Sequence, residues 1–253
     1  MNFSGLYTLF YKEILRFAKV ALQTVLAPVV TALLYLLVFS HVLEEHVEVY
    51  DNISYTAFLI PGLMMMSIIQ NAFANSSSSL IQSKITGNII FVLLTPLSYL
   101  EFYLAFLFAS IVRALVVGIG IFLVAMGFVE LPIHNALYLF LFAFLSSAVL
   151  GSIGIIAGIW SERFDHLAGF QNFIIMPLSF LSGVFYSIHS LPPFWQLLSK
   201  FNPFFYMIDG FRYGFFGVSD INPLYSLAVV FVAWALLAAL TLNMLRVGYK
   251  LRN

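Results

Sequence analysis

The sequence predicts an all-α integral membrane protein: six transmembrane helices, an N-terminal interfacial helix, a short helix outside the lipid after the second span, and re-entrant helices on the external side. Two observations carry this. Of 253 residues, 62% are apolar and only 9% are charged, with a mean hydropathy of +1.01, whereas a soluble domain carries roughly a quarter charged residues. No soluble core of this size could hide so much apolar surface. The apolar residues also come in runs of about 20 or more, the length a helix needs to cross ~30 Å of hydrocarbon. The runs 20–43, 52–83, 131–161, 167–199 and 221–245 contain no Asp, Glu, Lys or Arg, and 102–129 is interrupted only by Arg113.

Taken in order, residues 3–19 place Phe3, Leu6, Phe10, Ile14 and Phe17 at helical spacing among Lys12, Glu13, Arg16 and Lys19, which suits an amphipathic helix lying on the membrane. This stretch lacks the apolar core and cleavage site of a signal peptide, so the first span is expected to act as the insertion signal. That span covers 22–42, with Pro28 as a kink; a polar loop, EEHVEVYDNIS, leads to a second at 55–75, interrupted by Pro61. Residues 78–94 are apolar but broken by serines, Lys84, Gly87 and Asn88, and read as a short helix outside the lipid. Ser98 and Glu101 form an S-x-x-E capping box that starts the third span, 99–127. The fourth and fifth are expected at 137–159 and 168–187. Asn222 as N-cap and Pro223 at the first helical position open the sixth, 223–245.

Between the last two spans, residues 190–217 are rich in proline, glycine and aromatic side chains, and are split by Lys200, Asp209 and Arg212. Irregular backbone of this kind is tolerated at membrane depth only where protein or a cavity satisfies it, which suggests re-entrant helices. An interfacial aromatic belt is the alternative. Orientation follows from basic residues. With both termini cytoplasmic, the inside holds Lys12, Arg16, Lys19, Lys84, Arg163, Arg246, Lys250 and Arg252, against Lys200 and Arg212 outside.

Several constellations are weighed against plainer accounts. His41, Glu44, Glu45, His46 and Glu48 superficially resemble metal ligands, but one residue too many separates the histidines for either zinc-helix motif, and an acidic external loop explains them better. No G-x-x-x-x-G-K-[ST] occurs, so an ATP-powered process would need another chain to bind nucleotide. Zero net charge with scattered basic residues leaves no nucleic-acid footprint, and the absence of cysteine excludes disulfides and thiolate chemistry. Arg113, the one intramembrane charge, is either a snorkelling side chain or faces a bundle cavity or protomer contact. Gly151, Gly154 and Gly158, in GSIGIIAG, serve either close packing within the subunit or a dimer contact.

Taken together, PLSFLSGVFYSIHSLPPFWQLLSKFNPFFYMIDGFRYG (177–214), AFLIPGLMMMSIIQNAFAN (57–75) and LLTPLS (93–98) resemble the permease subunits of type 2 ABC exporters, which move polysaccharides, lipids and drugs. The resemblance runs over essentially the whole chain. It implies a bacterial inner-membrane homodimer paired with two copies of a separate ABC ATPase, which carries the ATP and Mg; no catalytic, cofactor or metal site is expected on this chain. It makes 78–94 the coupling helix, with Lys84, Thr86, Gly87, Asn88 and Phe91, aided by Arg163 and Asp165 in SERFDH, facing the ATPase. It makes Pro192, Pro193, Phe194, Trp195, Asn202, Pro203 and Phe204 part of an outer gate. The family often has acidic residues before L-L-x-x-P where this chain has Ile90 and Phe91, so docking is expected to be more apolar. A secondary transporter or channel without ATP, or a membrane assembly factor, is the rival; the former would be expected to show inverted repeats or paired intramembrane acids, and neither is visible.

Overall fold

The computed structural model describes residues 2–43, 50 and 53–250, and among them the chain is helical throughout. In order come α1 (Phe3–Ala18), α2 (Ala21–Leu43), α3 (Tyr55–Ile85), α4 (Ile89–Leu93), α5 (Tyr99–Ala125), α6 (Ala136–Trp160), α7 (Phe164–Phe170), α8 (Met176–Phe180), α9 (Pro193–Lys200), α10 (Pro203–Phe216) and α11 (Pro223–Val247). Five of these, α2, α3, α5, α6 and α11, are long and apolar enough to cross a membrane. Of the histidine and acidic cluster, only His41 falls on a described element, the end of α2, without a described side chain; Glu44, Glu45, His46, Glu48 and the basic residue Arg252 lie outside the described residues.

Helix starts follow local chemistry. Ser98 Oγ accepts from Glu101 N at 3.3 Å, and Glu101 Oε2 accepts from Ser98 N at 2.8 Å, closing the expected capping box at the head of α5. Asn222 Oδ1 accepts from Leu224 N at 2.9 Å and Pro223 takes the first helical position of α11. Glu101 Oε1 also accepts from Asn2 N, which anchors the start of α1 beside the start of α5. From there α1 runs alongside the first half of α5, burying Leu9, Glu13 and Phe17, one residue per turn along a single stripe. It is thus a docked helix with one committed face.

Two expected elements are corrected. The second span does not end at 75. α3 continues through the serines to Ile85, so most of the expected helix 78–94 divides between the end of α3 and the five-residue α4. The serines do not break the helix because their hydroxyls are satisfied inside it or across it: Ser77 Oγ donates to Phe73 O at 2.8 Å, and Ser76 Oγ donates to Gly151 O on α6 at 2.9 Å. Small side chains let the helices touch. A Cβ on Gly154 would lie 2.3 Å from Ser76 Oγ and 2.6 Å from Phe73 O, so only glycine fits there. The G-x-x-x-G face therefore packs α6 on α3 within one subunit. What ends α3 is the turn at Gly87, whose φ of +73° is a left-handed conformation that favours glycine.

The fifth expected span, 168–187, is instead a broken helical segment over 164–180: α7, a widened π turn at Gln171–Ile175, and α8. Pro177 accounts for the break. It has no N–H to give Phe173 O and its ring crowds that carbonyl, so the widened turn sits directly before it. At ~1.5 Å per residue the segment is about 25 Å long, short of a full crossing. α2, α5, α6 and α11 begin and end within about two residues of the stretches 22–42, 99–127, 137–159 and 223–245.

α3 is the central element. Phe58, Leu59, Ile60, Met65, Ile69 and Ala72 are fully enclosed, and α2, α5, α6 and α10 all pack on it. α2 and α11 lie at the periphery and expose Leu22, Leu34 and Val38, and Leu224, Phe231 and Leu236. In lipid those faces are solvated by acyl chains; what holds the bundle is the close fit of small residues and buried polar bonds.

Candidate functional site

Polar chemistry gathers at the two ends of the bundle. At the end carrying α1, Glu13 is fully buried and receives Lys12 Nζ at 3.0 Å and Arg16 Nε at 3.1 Å. Arg16 Nη2 continues into α3, donating to Asn75 O at 2.8 Å and Asn75 Oδ1 at 3.0 Å, while Nη1 reaches Ser78 Oγ at 3.4 Å. One turn along α3, Asn71 Oδ1 accepts from Arg113 Nε at 3.3 Å and Nη2 at 3.2 Å, and the Arg113 guanidinium lies 5.9 Å from the Phe17 ring. A polar seam thus joins α1, α3 and α5. Ser67, Gln70 and Ser78, partly exposed, extend it along one face of α3, and Gln70 Nε2 reaches across to Met176 Sδ at 3.3 Å on α8.

The same end holds the residues assigned to ATPase coupling. Lys84 Nζ donates to Ile159 O at 2.8 Å and Ser161 O at 2.6 Å, so it caps the carbonyl end of α6 and complements its dipole. Thr86 caps α3, its hydroxyl donating to Gln82 O at 2.9 Å; Gly87 makes the turn, and Asn88 precedes α4. Phe91 is 71% exposed, with Ile90 and Leu94 also outward. Between α4 and α1 lies a groove of about 400 Å³, lined by Gly5, Leu9, Lys12, Phe91, Pro96 and Leu97. Arg163 and Asp165 form an ion pair at 3.5 Å with both side chains in the open. Nearby, Lys250 Nζ lies 3.0 Å from Glu162 Oε1 and holds that carboxyl below its ordinary range. The residues expected at an ATPase contact therefore share one end of the molecule and divide into two kinds: Lys84, Thr86 and Gly87 shape helix ends, whereas Phe91, Arg163 and Asp165 present exposed surface.

At the opposite end the acceptors are carboxylates. Asp220 accepts from Tyr50 Oη at 2.7 Å, Ser187 Oγ at 2.7 Å and Ile188 N at 2.8 Å, and its own N–H donates to Asp209 Oδ1 at 2.8 Å. Asp209 Oδ2 accepts Ile221 N at 3.1 Å. Burial is the main reason the Tyr50 phenol is pushed up, with Asp220 adding to it. Arg212, also buried, stacks its guanidinium 3.8 Å from the Phe58 ring and donates to Gly183 O at 2.8 Å. Of the expected gate residues, Pro193 starts α9, and Phe194 and Trp195 face outward in an edge contact at 5.6 Å. Asn202 caps α10, accepting from Phe204 N at 3.0 Å while its Nδ2 donates to Leu178 O at 2.7 Å; Pro203 follows and Phe204 is buried. α9 thus presents an exposed face, whereas α10 is enclosed by its neighbours. Asp209, Asp220 and Tyr50 escaped the sequence reading as site residues. The available signal was the pair of charges in the apolar stretch YMIDGFRYG.

Comparison with known proteins fits this arrangement. A 36% identical relative, the "Inner membrane transport permease YadH" of Escherichia coli (strain K12), aligns over 231 residues, 90% of each chain. The "Capsule polysaccharide export inner-membrane protein CtrC" of Neisseria meningitidis is 29% identical over 184 residues, 70% of this chain and 66% of its own. "Nodulation protein J" of Rhizobium meliloti is 25% identical over 204 residues, 79% of this chain and 77% of its own. The model of the family described as "ABC-2 type transporter" matches residues 4–216, from α1 to the end of α10, and the chain therefore belongs to that family.

Proposed function

We propose that this chain, a membrane permease of an ABC exporter, lines the export path for a glycan, lipid or drug-like substrate and is driven by a separate ATPase that docks on the α1 end. The observation that carries the reading is the seam from Arg16 to Asn75: the helix nearest the docking surface is hydrogen-bonded to the middle of the central span. A partner can shift a membrane helix only through contacts that differ between its own states, and the seam supplies the physical link. The α1 end is then cytoplasmic, which gathers Lys12, Arg16, Lys19, Lys84, Arg163, Arg246 and Lys250 on the basic side of a bacterial inner membrane. The α7–α8 segment completes a sixth crossing with the turn that follows it, and α9 and α10 form the re-entrant outer gate. The working unit is a homodimer with two ATPase copies, and the path follows the polar face of α3.

The test is co-purification in mild detergent followed by substitution. A stoichiometric ATPase is expected to accompany the permease. Phe91→Asp places a charge on the exposed apolar surface of α4 and is expected to uncouple ATP hydrolysis from export while leaving the purified protein folded. Absence of any ATPase under conditions that keep the permease intact points to an ATP-independent transporter or an assembly factor; full export by Phe91→Asp removes α4 from the docking surface.

A further inference from the structure

Arg113 lies 14 residues into α5, ~21 Å along a helix rising 1.5 Å per residue, and is partly exposed. As the one charge in the apolar run 102–129, such a guanidinium is retained when it faces a cavity or a partner charge. Its bonds, at 3.2 and 3.3 Å, both go to one neutral amide oxygen, Asn71 Oδ1, and among the described residues no carboxylate pairs with it. Arg16, held by Asn75 one turn away on the same face of α3, adds a second guanidinium that is 25% exposed. The single carboxylate on α1, Glu13, is already shared by Lys12 and Arg16. The group Lys12, Glu13, Arg16 and Arg113 therefore holds three positive charges and one negative.

Among the described residues no carboxylate supplies the missing counter-charge, and Glu130 is exposed in the loop after α5. Glu101 is occupied at the head of α5, Glu162 and Asp165 lie beyond α6, and Asp209 and Asp220 are bound at the far end. A second copy repeats the same occupied acids, Glu13 and Glu101, in its helices. We propose that Arg113, supported by Arg16, is an anion-binding site that receives the phosphate or carboxylate of an amphiphile, with its apolar portion in the surrounding lipid. Asn71 holds the guanidinium by one edge and leaves the other, Nη1, to the ligand. The inference rests on the export reading and gives its substrate a negatively charged head.

The full-length protein, in nanodiscs of phosphatidylcholine, is titrated with short-chain phosphatidic acid, with phosphatidylcholine of the same chain length, and with inorganic phosphate as competitor. Phosphatidic acid is expected to bind in preference to phosphatidylcholine. Arg113→Leu is expected to weaken it about 10- to 100-fold, the range for losing a charge-assisted contact, and Arg113→Lys to recover most of it. Should the leucine variant not fold, Arg113→Gln keeps a polar group and is read in the same way. Competition by inorganic phosphate identifies a site for the free anion; its absence identifies a headgroup presented from the bilayer, and either outcome supports an anion site. Equal binding of both lipids by the wild type, or unchanged binding by the folded variant, overturns it. ATPase co-purification is scored separately in the wild type, so failure of the export reading is distinguished from failure of the site.

Discussion

The two ends of the bundle are held by opposite chemistry. At the α1 end, apart from the buried Glu101 and Glu13 that hold α1 itself, the groups reaching between helices are long cationic side chains, Arg16, Arg113 and Lys84, which bond oxygens of another helix and remain partly exposed. At the far end they are two short buried carboxylates, Asp209 and Asp220, that gather backbone N–H groups and hydroxyls from segments distant in sequence. A long side chain with several rotatable bonds can keep its bond while the helices slide. A buried carboxylate with three donors cannot move without leaving them unpaired. The α1 end is therefore built for adjustment and the far end for a defined closed arrangement.

The sharpest way to break this contrast is at the far end. Asp220→Ala leaves the Tyr50 and Ser187 hydroxyls and the Ile188 N–H without their acceptor. A loss of about 3 kcal/mol or more is expected, at about 1–3 kcal/mol for each buried donor left unpaired, read as a clearly lower unfolding midpoint in detergent. A midpoint equal to the wild type's would mean that the carboxylate holds nothing together. A smaller effect is expected at the α1 end, where Glu13→Gln keeps the shape but removes the counter-ion of Arg16, for about 1.5–3 kcal/mol. Limited proteolysis near residue 19 measures it; unchanged cleavage would assign α1 docking to Leu9 and Phe17 alone. The smallest effect is expected from Arg163→Ala. Both partners of its ion pair lie in the open, so stability should move by under about 0.5 kcal/mol, and any larger loss of export would come from partner contact.

Where structure follows from neighbouring residues, it was legible in the sequence. The capping box at Ser98 and Glu101 and the Asn222–Pro223 start needed no knowledge of the fold. The long α3 was not legible. Four serines in a row read as a break until a glycine face on α6, some 75 residues later, is known to lie against them and to supply a carbonyl. Lys84 read as a surface residue because the helix end it caps is equally remote. Asp220, within GVSDINP, looks like an ordinary loop acid; its role arises from Tyr50, Ser187 and Ile188, which only folding brings within reach. The break in the fifth segment has a local cause that hydropathy does not register, since Pro177 is apolar enough to sit in a run but cannot continue its hydrogen bonding.

The length of α3 has a mechanical consequence. Its 31 residues make a rod of about 46 Å, longer than the membrane core is thick. It is gripped near the middle by Arg113 through Asn71 and touched near its N-terminal end by Arg212 through Phe58. Pivoting such a rod by about 10° around Asn71 swings Lys84 and Tyr55 in opposite directions by roughly 3–4 Å. Pro61 lacks the N–H that would bond Ala57 O, and so leaves the N-terminal arm a place to flex. A modest push at one end of α3 would thus reach the other with its sense reversed, less whatever the bend at Pro61 absorbs: α3 has the geometry of a seesaw.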